Sequence, residues 1–312
     1  MHELYDLIII GSGPAGLSAA IYGSRARLKT LVIEKTQIGG QILNTYEIEN
    51  YPGAQESLTG KKLIKRMIEQ AKSFGAEIIK DEILEVEIIK DIKLLKGQKK
   101  EYKCKTLIIA TGTTPKKLGI KGEEEFISKG VSYCAICDGD FFTDLEVFVV
   151  GGGDSAVKEA IFLTKFARKV TIVYRNSNLK CTKVLEEKSR KNEKISFLFN
   201  TVIEEIKGDG ILESIFFKNT ITNEVNEYIC KEEDGTMGLF IFIGNKPKTG
   251  LFKNKLDMDS IGYIITDENM KTSIDGVFAA GDCRSKSVRQ VITASSDGAI
   301  AAIMADEFIG NK

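Results

Sequence analysis

The sequence has one histidine, no excess of charge of either sign and no apolar run of membrane-spanning length. The histidine is His2, so no internal histidine supplies a proton to the chemistry of this chain. Lysine plus arginine and aspartate plus glutamate each number 44. With no basic run, the composition favours neither nucleic acid nor an acidic membrane as a partner. The apolar run Leu7–Ile10 has the length of a strand, far short of a membrane span.

The sequence also lacks a charged leader with a cleavage site and a secreted disulfide framework. Its N-terminus shows no targeting pattern, which predicts a cytoplasmic protein. Of the six cysteines, only Cys134 and Cys137 are close together. In a reducing compartment a CxxC pair is more often redox-active or metal-binding than structural.

Two segments of the 312 residues share one design, which predicts two domains. Each has an apolar strand, a glycine turn, a helix of 3.6-residue periodicity and a second strand, as in a βαβ unit. The first comprises Tyr5–Ile10, Gly11–Gly16, Leu17–Arg27 and Thr30–Glu34. The second comprises Glu146–Val150, Gly151–Ala156, a helix to about Phe166 and Lys169–Tyr174.

The C-terminal part of the chain has a similar pattern of elements, with a strand and turn at Val277–Asp282 and a helix at Val288–Phe308. Two hinges are predicted between these parts, at Ala110–Lys117 and Ile243–Gly250, because a proline interrupts each. The fold class is therefore α/β, with two Rossmann-like, three-layer dinucleotide-binding domains, the second inserted into the first. The predicted domains are 1–113 with 247–312, and 116–243.

The first glycine turn, GSGPAG, is typical of a dinucleotide site. Gly11 makes the tight turn, Gly13 lets a pyrophosphate approach the backbone, and Gly16 lets helix and strand pack closely. The helix N-terminus then stabilises the phosphate charge. Glu34 ends the next strand, where an acid can bind ribose hydroxyls.

The second turn, GGGDSA, would ordinarily serve a nicotinamide dinucleotide. The strand after it ends in Tyr174-Arg175-Asn176, so no acid is present to select NAD. Only Arg175 and Lys180 offer positive charge to a 2′-phosphate. The pattern indicates the fold of this unit but leaves its ligand open.

The CxxC pair, Cys134 and Cys137, can close a small redox disulfide, and a helix N-terminus would favour one thiolate. A zinc site is the main alternative, but it needs four ligands and the chain offers one pair. An inert pair is a further alternative. Asp138 is the adjacent acid that could exchange a proton with a thiolate, or it could merely cap a helix or form a turn with Gly139.

Together these motifs resemble the low-molecular-weight thioredoxin reductases. The resemblance runs through the whole chain in the family's order. The motifs that carry it are GSGPAG, IGGQI (38–42), ENYPG (49–53), LIIATG (107–112), CAICDG (134–139), GGGDSA, VFAAGD (277–282) and RQV (289–291).

The resemblance implies that Cys137 faces a bound FAD, Cys134 attacks the disulfide of thioredoxin, and Asp138 is the acid. It also implies a homodimer and a rotation of the inserted domain. The larger lipoamide- and glutathione-type reductases use a histidine acid, which is absent here. The implied FAD site consists of Gly11, Ser12, Gly13, Pro14, Ala15, Gly16, Glu34, Lys35, Gly40, Gln41, Asn50, Gly112, Gly281, Asp282, Arg289, Gln290 and Val291. The nicotinamide nucleotide site would consist of Gly153, Asp154, Ser155, Ala156, Arg175 and Lys180.

One departure concerns the electron donor. NADPH-dependent members carry HRRxxxR where this chain reads YRNSNLK, so the second arginine is lost and the third is lysine. Lysine cannot form the bidentate phosphate contact, and each lost charge-assisted contact is worth about 1.5–3 kcal/mol. Some clostridial-type relatives take electrons from reduced ferredoxin, and the lost clamp favours ferredoxin over NADPH here.

Two other functions are weighed against a thioredoxin reductase. A flavin ferredoxin–NADP reductase would have the same scaffold but would not need the CxxC pair. A non-enzymatic redox sensor would hold a nucleotide without turnover.

Overall fold

The structure is a computed structural model that describes residues 3–45, 48, 50–54, 58–89 and 91–311. His2 and Glu49, both named above, lie outside the described residues. The chain divides into two compact units, one of Met1–Thr114 with Lys246–Lys312 and the other of Pro115–Asn245. No helix in the described part of the chain has the length and apolar character needed to cross a membrane.

The first unit is built on a seven-stranded sheet in the order β3-β2-β1-β6-β5-β4, with β17 also paired to β6. Its strands are β1 (Leu4–Ile10), β2 (Thr30–Glu34), β3 (Glu77–Lys80), β4 (Ile83–Ile89), β5 (Ile92–Gly97), β6 (Glu101–Ile109) and β17 (Val277–Ala279). β1, β2, β3, β6 and β17 are parallel to one another, whereas β4 and β5 form an antiparallel hairpin that pairs with β6. Parallel strands are covered on both faces, which explains the uninterrupted apolar runs in β1 and β6.

Three helices cover this sheet: α1 (Pro14–Arg25), α2 (Gly60–Ser73) and α6 (Val291–Gly310). α1 and α6 approach closely because small residues face each other. A Cβ on Gly298 would lie 2.0 Å from the carbonyl oxygen of Ala15. This contact places the start of α6 beside the first glycine turn.

The second unit has a five-stranded parallel sheet in the order β11-β10-β9-β15-β8 and an antiparallel sheet β12-β13-β14. The parallel strands are β8 (Val131–Ser132), β9 (Glu146–Val150), β10 (Lys169–Tyr174), β11 (Ile195–Phe199) and β15 (Gly238–Ile241). The antiparallel strands are β12 (Thr201–Lys207), β13 (Ser214–Asn219) and β14 (Val225–Ile229). The helices are α3 (Ala135–Asp138), α4 (Asp154–Leu163) and α5 (Lys183–Arg190).

The chain passes between the units at β7 (Thr113–Pro115) and β16 (Asn245–Pro247), which form a two-stranded sheet. Beyond this pair, Lys248 donates its N–H to Gly112 in the first unit at 3.0 Å. Lys116 donates to Gly244 in the second unit at 2.9 Å. Both connections lie within the predicted hinge segments.

Three predicted helices had wrong boundaries. The first helix is Pro14–Arg25 rather than Leu17–Arg27, because proline suits the first helical position and Arg27 has a left-handed backbone with φ of 63°. The last helix begins at Val291 rather than Val288, where the Gln290 and Thr293 side chains form a capping box. The helix after the second glycine turn ends at Leu163, short of Phe166.

Candidate functional site

The carboxyl ends of several parallel strands in the first unit meet at one edge of the sheet. Ile10 of β1 is in register with both Ile33 of β2 and Ile109 of β6. Ile109 is also in register with Ala279 of β17. The segments that follow these strands therefore lie side by side, at the edge where ligands bind in open α/β sheets.

Backbone crowding requires glycine in the first turn. Gly11 has φ of +104°, and a Cβ there would lie 2.3 Å from the carbonyl oxygen of Ala110. A Cβ on Gly16 would lie 1.9 Å from the carbonyl oxygen of Gly11, so α1 can pack on β1 only without that atom. The space beside Gly13 is open, with its nearest neighbour the carbonyl oxygen of Gly39 at 4.0 Å. This turn leaves open space beside the half-buried backbone at the start of α1.

The carboxylate of Glu34 lies against the same turn. Its Oε2 accepts hydrogen bonds from the backbone N–H of Ser12 at 2.9 Å and from the Ser12 hydroxyl at 2.7 Å. The Ser12 oxygen in turn accepts from the N–H of Gly39 at 3.0 Å. Thr36 donates its N–H to Oε1 at 3.2 Å. Glu34 is thus held at the turn by two donors on one oxygen.

Gly40 and Gln41 close a second side of this cradle. Gly40 has φ of +71°, and a Cβ there would lie 3.1 Å from the Cα of Gly13. Gln41 donates from Nε2 to the carbonyl oxygen of Thr113 at 2.6 Å. Gly112 has φ of +68° and open space beside it. The residues predicted from separate motifs therefore come together around the first turn.

The segment after β17 forms a third side. Gly281 has φ of +78°, and a Cβ there would meet the Cβ of Ala15 at 2.8 Å. Arg289 lies over the ring of Tyr263 at 4.2 Å and donates to the backbone oxygen of Asp282 at 3.4 Å. Asn50 donates to the Gln290 side chain at 3.4 Å.

Asp282 is the unusual group of this cradle. Its Oδ1 is buried and accepts no hydrogen bond from the residues that the structure describes. Burial raises the pKa of its carboxyl, although the positive charges of Lys286 and Arg289 lower it. A buried carboxylate oxygen normally has a donor, so Asp282 fits a hydroxyl-bearing ligand. Together with the open backbone at Gly13 and Gly112, it makes these residues suitable for FAD.

Four further residues were predicted for the FAD site: Pro14, Ala15, Lys35 and Val291. Pro14 and Val291 begin α1 and α6, and Ala15 is buried within α1. Lys35 is exposed and pairs with Glu82 at 2.6 Å.

Sequence reasoning missed the network that holds the Gly281 loop. Asp297 of α6 is buried and accepts from the N–H of Gly281 at 3.0 Å. It also pairs with Arg284 at 3.2 Å and Lys286 at 2.8 Å. Its position inside a helix of small apolar residues was the available signal, because a charge there requires a partner.

The second glycine turn repeats the backbone of the first. Gly151 has φ of +139°, and a Cβ there would lie 2.5 Å from the carbonyl oxygen of Phe242. Ala156 is buried in α4, whereas Gly153 has open space beside it. Asp154 accepts from the N–H of Thr182 at 2.8 Å, and Ser155 is exposed. The turn is intact and its backbone is accessible.

The end of β10, which lies beside this turn, carries a tyrosine where β2 of the first unit ends in Glu34. The ring of Tyr174 covers Gly152, where a Cβ would lie 2.5 Å from three ring carbons. Arg175 and Lys180 are exposed, and neither side chain forms an ion pair with a residue that the structure describes. Lys180 is tied to the turn by its backbone N–H, which donates to Gly152 at 2.7 Å.

The cysteine pair lies in the second unit and is oxidised. Cys134 and Cys137 form a disulfide, and both residues are partly exposed. Cys134 precedes the single-turn helix α3, and its Sγ accepts from the N–H of Cys137 at 3.2 Å. A hydrogen-bond donor on this sulfur would stabilise a thiolate after reduction. In the described part of the chain, no cluster of three or more histidine, cysteine, aspartate or glutamate side chains is placed so that it could bind a metal ion.

Asp138 is the last residue of α3, and its carboxyl group accepts a hydrogen bond from a serine hydroxyl. Ser132 donates from Oγ to Asp138 Oδ2 at 2.5 Å. Burial raises the pKa of Asp138, the Ser132 hydrogen bond lowers it, and the charge of Asp140 raises it further. A carboxyl with a raised pKa keeps its proton to a higher pH, as a general acid requires.

The comparisons with known proteins agree with this geometry. The family model of the pyridine nucleotide-disulphide oxidoreductases matches residues 5–298. A thioredoxin reductase of Peptoclostridium litorale is 59% identical over 309 residues, covering 99% of this chain and 98% of that protein. The solved thioredoxin reductase of Streptococcus pyogenes MGAS5005 is 43% identical with a TM-score of 0.94, and each chain is covered completely.

A ferredoxin-flavin thioredoxin reductase from Clostridium acetobutylicum is 28% identical, with a TM-score of 0.53 and 100% of each chain covered. The chain therefore belongs to the low-molecular-weight thioredoxin reductases, an FAD-dependent family of oxidoreductases, within the pyridine nucleotide-disulphide oxidoreductases.

Proposed function

We propose that this enzyme reduces the disulfide of thioredoxin with the dithiol of Cys134 and Cys137, and that Asp138 is the acid. The observation that carries this proposal is the Cys134–Cys137 disulfide with the half-buried carboxyl of Asp138 adjacent to it in sequence. The hydrogen bond from the Cys137 N–H to Cys134 Sγ supports Cys134 as the attacking thiolate.

The exchange starts from the reduced pair. The Cys134 thiolate attacks one sulfur of the thioredoxin disulfide and forms a mixed disulfide, while the other thioredoxin sulfur leaves and takes the proton of Asp138. Asp138, now a carboxylate, takes the proton of Cys137, and the Cys137 thiolate attacks Cys134 Sγ. This step restores the Cys134–Cys137 bond and releases the second thioredoxin sulfur, to which Asp138 passes that proton. Two electrons pass from the enzyme's dithiol, which is oxidised, to thioredoxin, which is reduced.

FAD, when bound, supplies the two-electron carrier that returns Cys134 and Cys137 to the dithiol. Residues of the first unit would hold it in the manner that the motifs imply. The backbone at Gly13 would face the pyrophosphate, and Glu34 would exchange its Ser12 contacts for ribose hydroxyls. Asp282 would gain the donor that its Oδ1 lacks.

For the electron donor we propose a nicotinamide dinucleotide bound at the second turn. The accessible backbone at Gly153 and the intact turn at Gly151 support this assignment. Reduced ferredoxin is the second candidate, because the end of β10 lacks the second arginine of the HRRxxxR pattern. The preference for ferredoxin drawn from the sequence is not supported by the comparisons, since the ferredoxin-flavin enzyme is 28% identical and the Peptoclostridium enzyme 59%.

The test is anaerobic reduction of the bound flavin by NADPH, NADH or reduced ferredoxin, with thioredoxin present to complete turnover. Rapid bleaching by a nicotinamide and slow bleaching by ferredoxin would support our assignment. Bleaching by ferredoxin alone would contradict it. Failure of the reduced enzyme to reduce thioredoxin with any donor would contradict the function itself.

Three further properties remain predictions. A homodimer and a rotation of the inserted unit rest on the resemblance, and a cytoplasmic location rests on the N-terminal sequence, which shows no targeting pattern. Sedimentation of the holoenzyme tests the first directly.

A further inference from the structure

The hydroxyl of Ser132 connects the nucleophile to the acid in the second unit. Its Oγ accepts from the backbone N–H of Cys134 at 3.0 Å and donates to Asp138 Oδ2 at 2.5 Å. One side chain thus contacts both the segment that carries Cys134 and the carboxyl of Asp138.

The position of this hydroxyl is fixed by the sheet. Ser132 ends β8 and pairs in register with Phe240 of β15, whose ring is fully buried. Ser132 itself is 4% exposed. Because its side chain is buried, water cannot readily replace the hydroxyl after a substitution.

The Ser132 hydroxyl has one proton to donate, and its contact with Asp138 Oδ2 at 2.5 Å is much shorter than its contact with the Cys134 carbonyl oxygen at 3.3 Å. The hydrogen bond to Asp138 therefore favours one carboxyl oxygen over the other as the site of the acidic proton. An oxygen that accepts from Ser132 is disfavoured as the protonated one, so the acidic proton is directed to Oδ1. Oδ1 forms no hydrogen bond with the residues that the structure describes. That oxygen remains available to donate.

We propose that Ser132 is a positioning residue for disulfide exchange, which acts through Asp138 by placing its acidic proton on Oδ1. This inference rests on the proposed function of Asp138. Ser132 neither forms nor breaks a bond in the exchange: the proton moves from Asp138 to the leaving thioredoxin sulfur, and Ser132 keeps its own proton.

The charges around Asp138 give the expected sign of a pH effect. Asp140 raises the pKa of Asp138, and the Ser132 hydrogen bond lowers it against the larger effect of burial. α4, which packs against α3, carries the charged residues Asp154, Lys158 and Glu159. Loss of the Ser132 hydroxyl removes the lowering effect, so the pKa of Asp138 rises.

The experiment measures single-turnover reduction of thioredoxin by prereduced holoenzyme across a range of pH. We compare the wild type, Ser132→Ala, Asp138→Asn and the double variant. Asp138→Asn should lose about 10²–10⁴-fold in rate, the usual contribution of a general acid. Ser132→Ala should lose about tenfold, a part of that contribution. The double variant should be no slower than Asp138→Asn alone.

The pH profile separates positioning from a general structural defect. Exchange requires protonated Asp138, so its rate falls as pH rises through that pKa. In Ser132→Ala this fall should move to higher pH. Ser132→Thr keeps a hydroxyl and should restore the wild-type profile. Ser189→Ala, which removes a buried hydroxyl bonded to the Glu186 carbonyl at 2.8 Å, is the matched control and should change nothing.

An unchanged rate and pH profile in Ser132→Ala would overturn the inference. So would a double variant that is slower than Asp138→Asn by the full factor of Ser132→Ala. If Ser132→Thr fails to fold because of its added methyl group, the double variant still decides. An unimpaired Asp138→Asn would instead contradict the proposed role of Asp138, a result distinct from failure of Ser132.

Discussion

The two glycine turns have the same backbone but different neighbours. Gly11 donates its N–H to Ile33 at 2.9 Å, and Gly151 donates to Val173 at 3.1 Å, the equivalent bond. In each turn a Cβ on the first glycine would strike a carbonyl oxygen, at 2.3 Å in the first and 2.5 Å in the second. Close backbone packing therefore maintains both turns.

The difference lies at the end of the following strand. In the first unit it ends in Glu34, a carboxylate held by Ser12. In the second it ends in Tyr174, whose ring lies against Gly152. The comparison shows that close packing preserves the backbone of both turns, and we expect a few strand-end side chains to decide which dinucleotide each turn accepts. The predictions that follow test this separation.

The largest effect is expected from Cys137→Ser, which separates the chemistry of the second unit from flavin binding in the first. Without its second thiol the enzyme cannot release a mixed disulfide, so thioredoxin turnover should fall to the uncatalysed background. FAD absorbance should be retained, because the predicted FAD site belongs to the first unit. Cys181→Ser, at a half-buried cysteine of the same unit, is the control. Undiminished turnover in Cys137→Ser would contradict the dithiol mechanism.

The second largest effect is expected at the end of β10, where YRNSNLK replaces the HRRxxxR pattern. Asn176→Arg combined with Lys180→Arg should lower KM for NADPH by about tenfold to a hundredfold per contact restored, since each is worth about 1.5–3 kcal/mol. KM for NADH should be unchanged, because NADH has no 2′-phosphate. Steady-state kinetics with both cofactors measures the ratio. Equal improvement with both would indicate that the added charges do not contact the 2′-phosphate.

A smaller effect should distinguish the two open glycines. Gly13→Ala and Gly153→Ala each add a methyl group where no atom lies closer than 4.0 Å. Folding should be little affected, but a pyrophosphate approaching that backbone would meet the methyl group. Gly13→Ala should weaken FAD binding by about tenfold, or 1.4 kcal/mol, while Gly153→Ala leaves it intact. Flavin release during dialysis reports the difference. Loss of FAD from both variants would contradict separate ligand sites.

The smallest effect is on stability. The folded state raises the pKa of Asp138 by burial, so it binds the proton more tightly than the unfolded chain does. The free energy of unfolding therefore decreases as pH rises from the unfolded pKa through the folded one. Asp138→Asn should raise Tm at neutral pH, and its advantage should disappear in acid. Calorimetry at several pH values measures this.

Asp234→Asn should have the opposite effect on stability: it should lower Tm at neutral pH, and this loss should disappear in acid. Arg168 lowers the pKa of Asp234, so that pair stabilises the fold above the unfolded pKa and ceases to do so as pH falls through the folded one. If Tm changed with pH in the same way in Asp138→Asn and Asp234→Asn, the change could not be due to the individual surroundings of the two carboxyls.

Local sequence patterns predicted the regular elements well. The strands Thr30–Glu34, Glu146–Val150 and Lys169–Tyr174 have the predicted bounds, because an apolar run between two turns has few other ways to be buried. The helix ends were less accurate, since capping by Gln290 and Thr293 depends on side-chain geometry rather than periodicity. The α/β fold and the disulfide at Cys134 and Cys137 were also predicted from spacing and resemblance.

The sequence by itself determined the family, the fold and the reactive cysteines, because these depend on residues that are close together in the chain. Only the tertiary structure decided which distant groups meet. Asp297 reaches Gly281 through the packing of α6, and Tyr174 reaches Gly152 across a strand edge. Ser132 is a different case, because Cys134 and Asp138 are only two and six residues away in the chain. No motif predicted its role, which depends on the burial of β8 beside β15. Such contacts depend on strand register and burial, which no short pattern encodes.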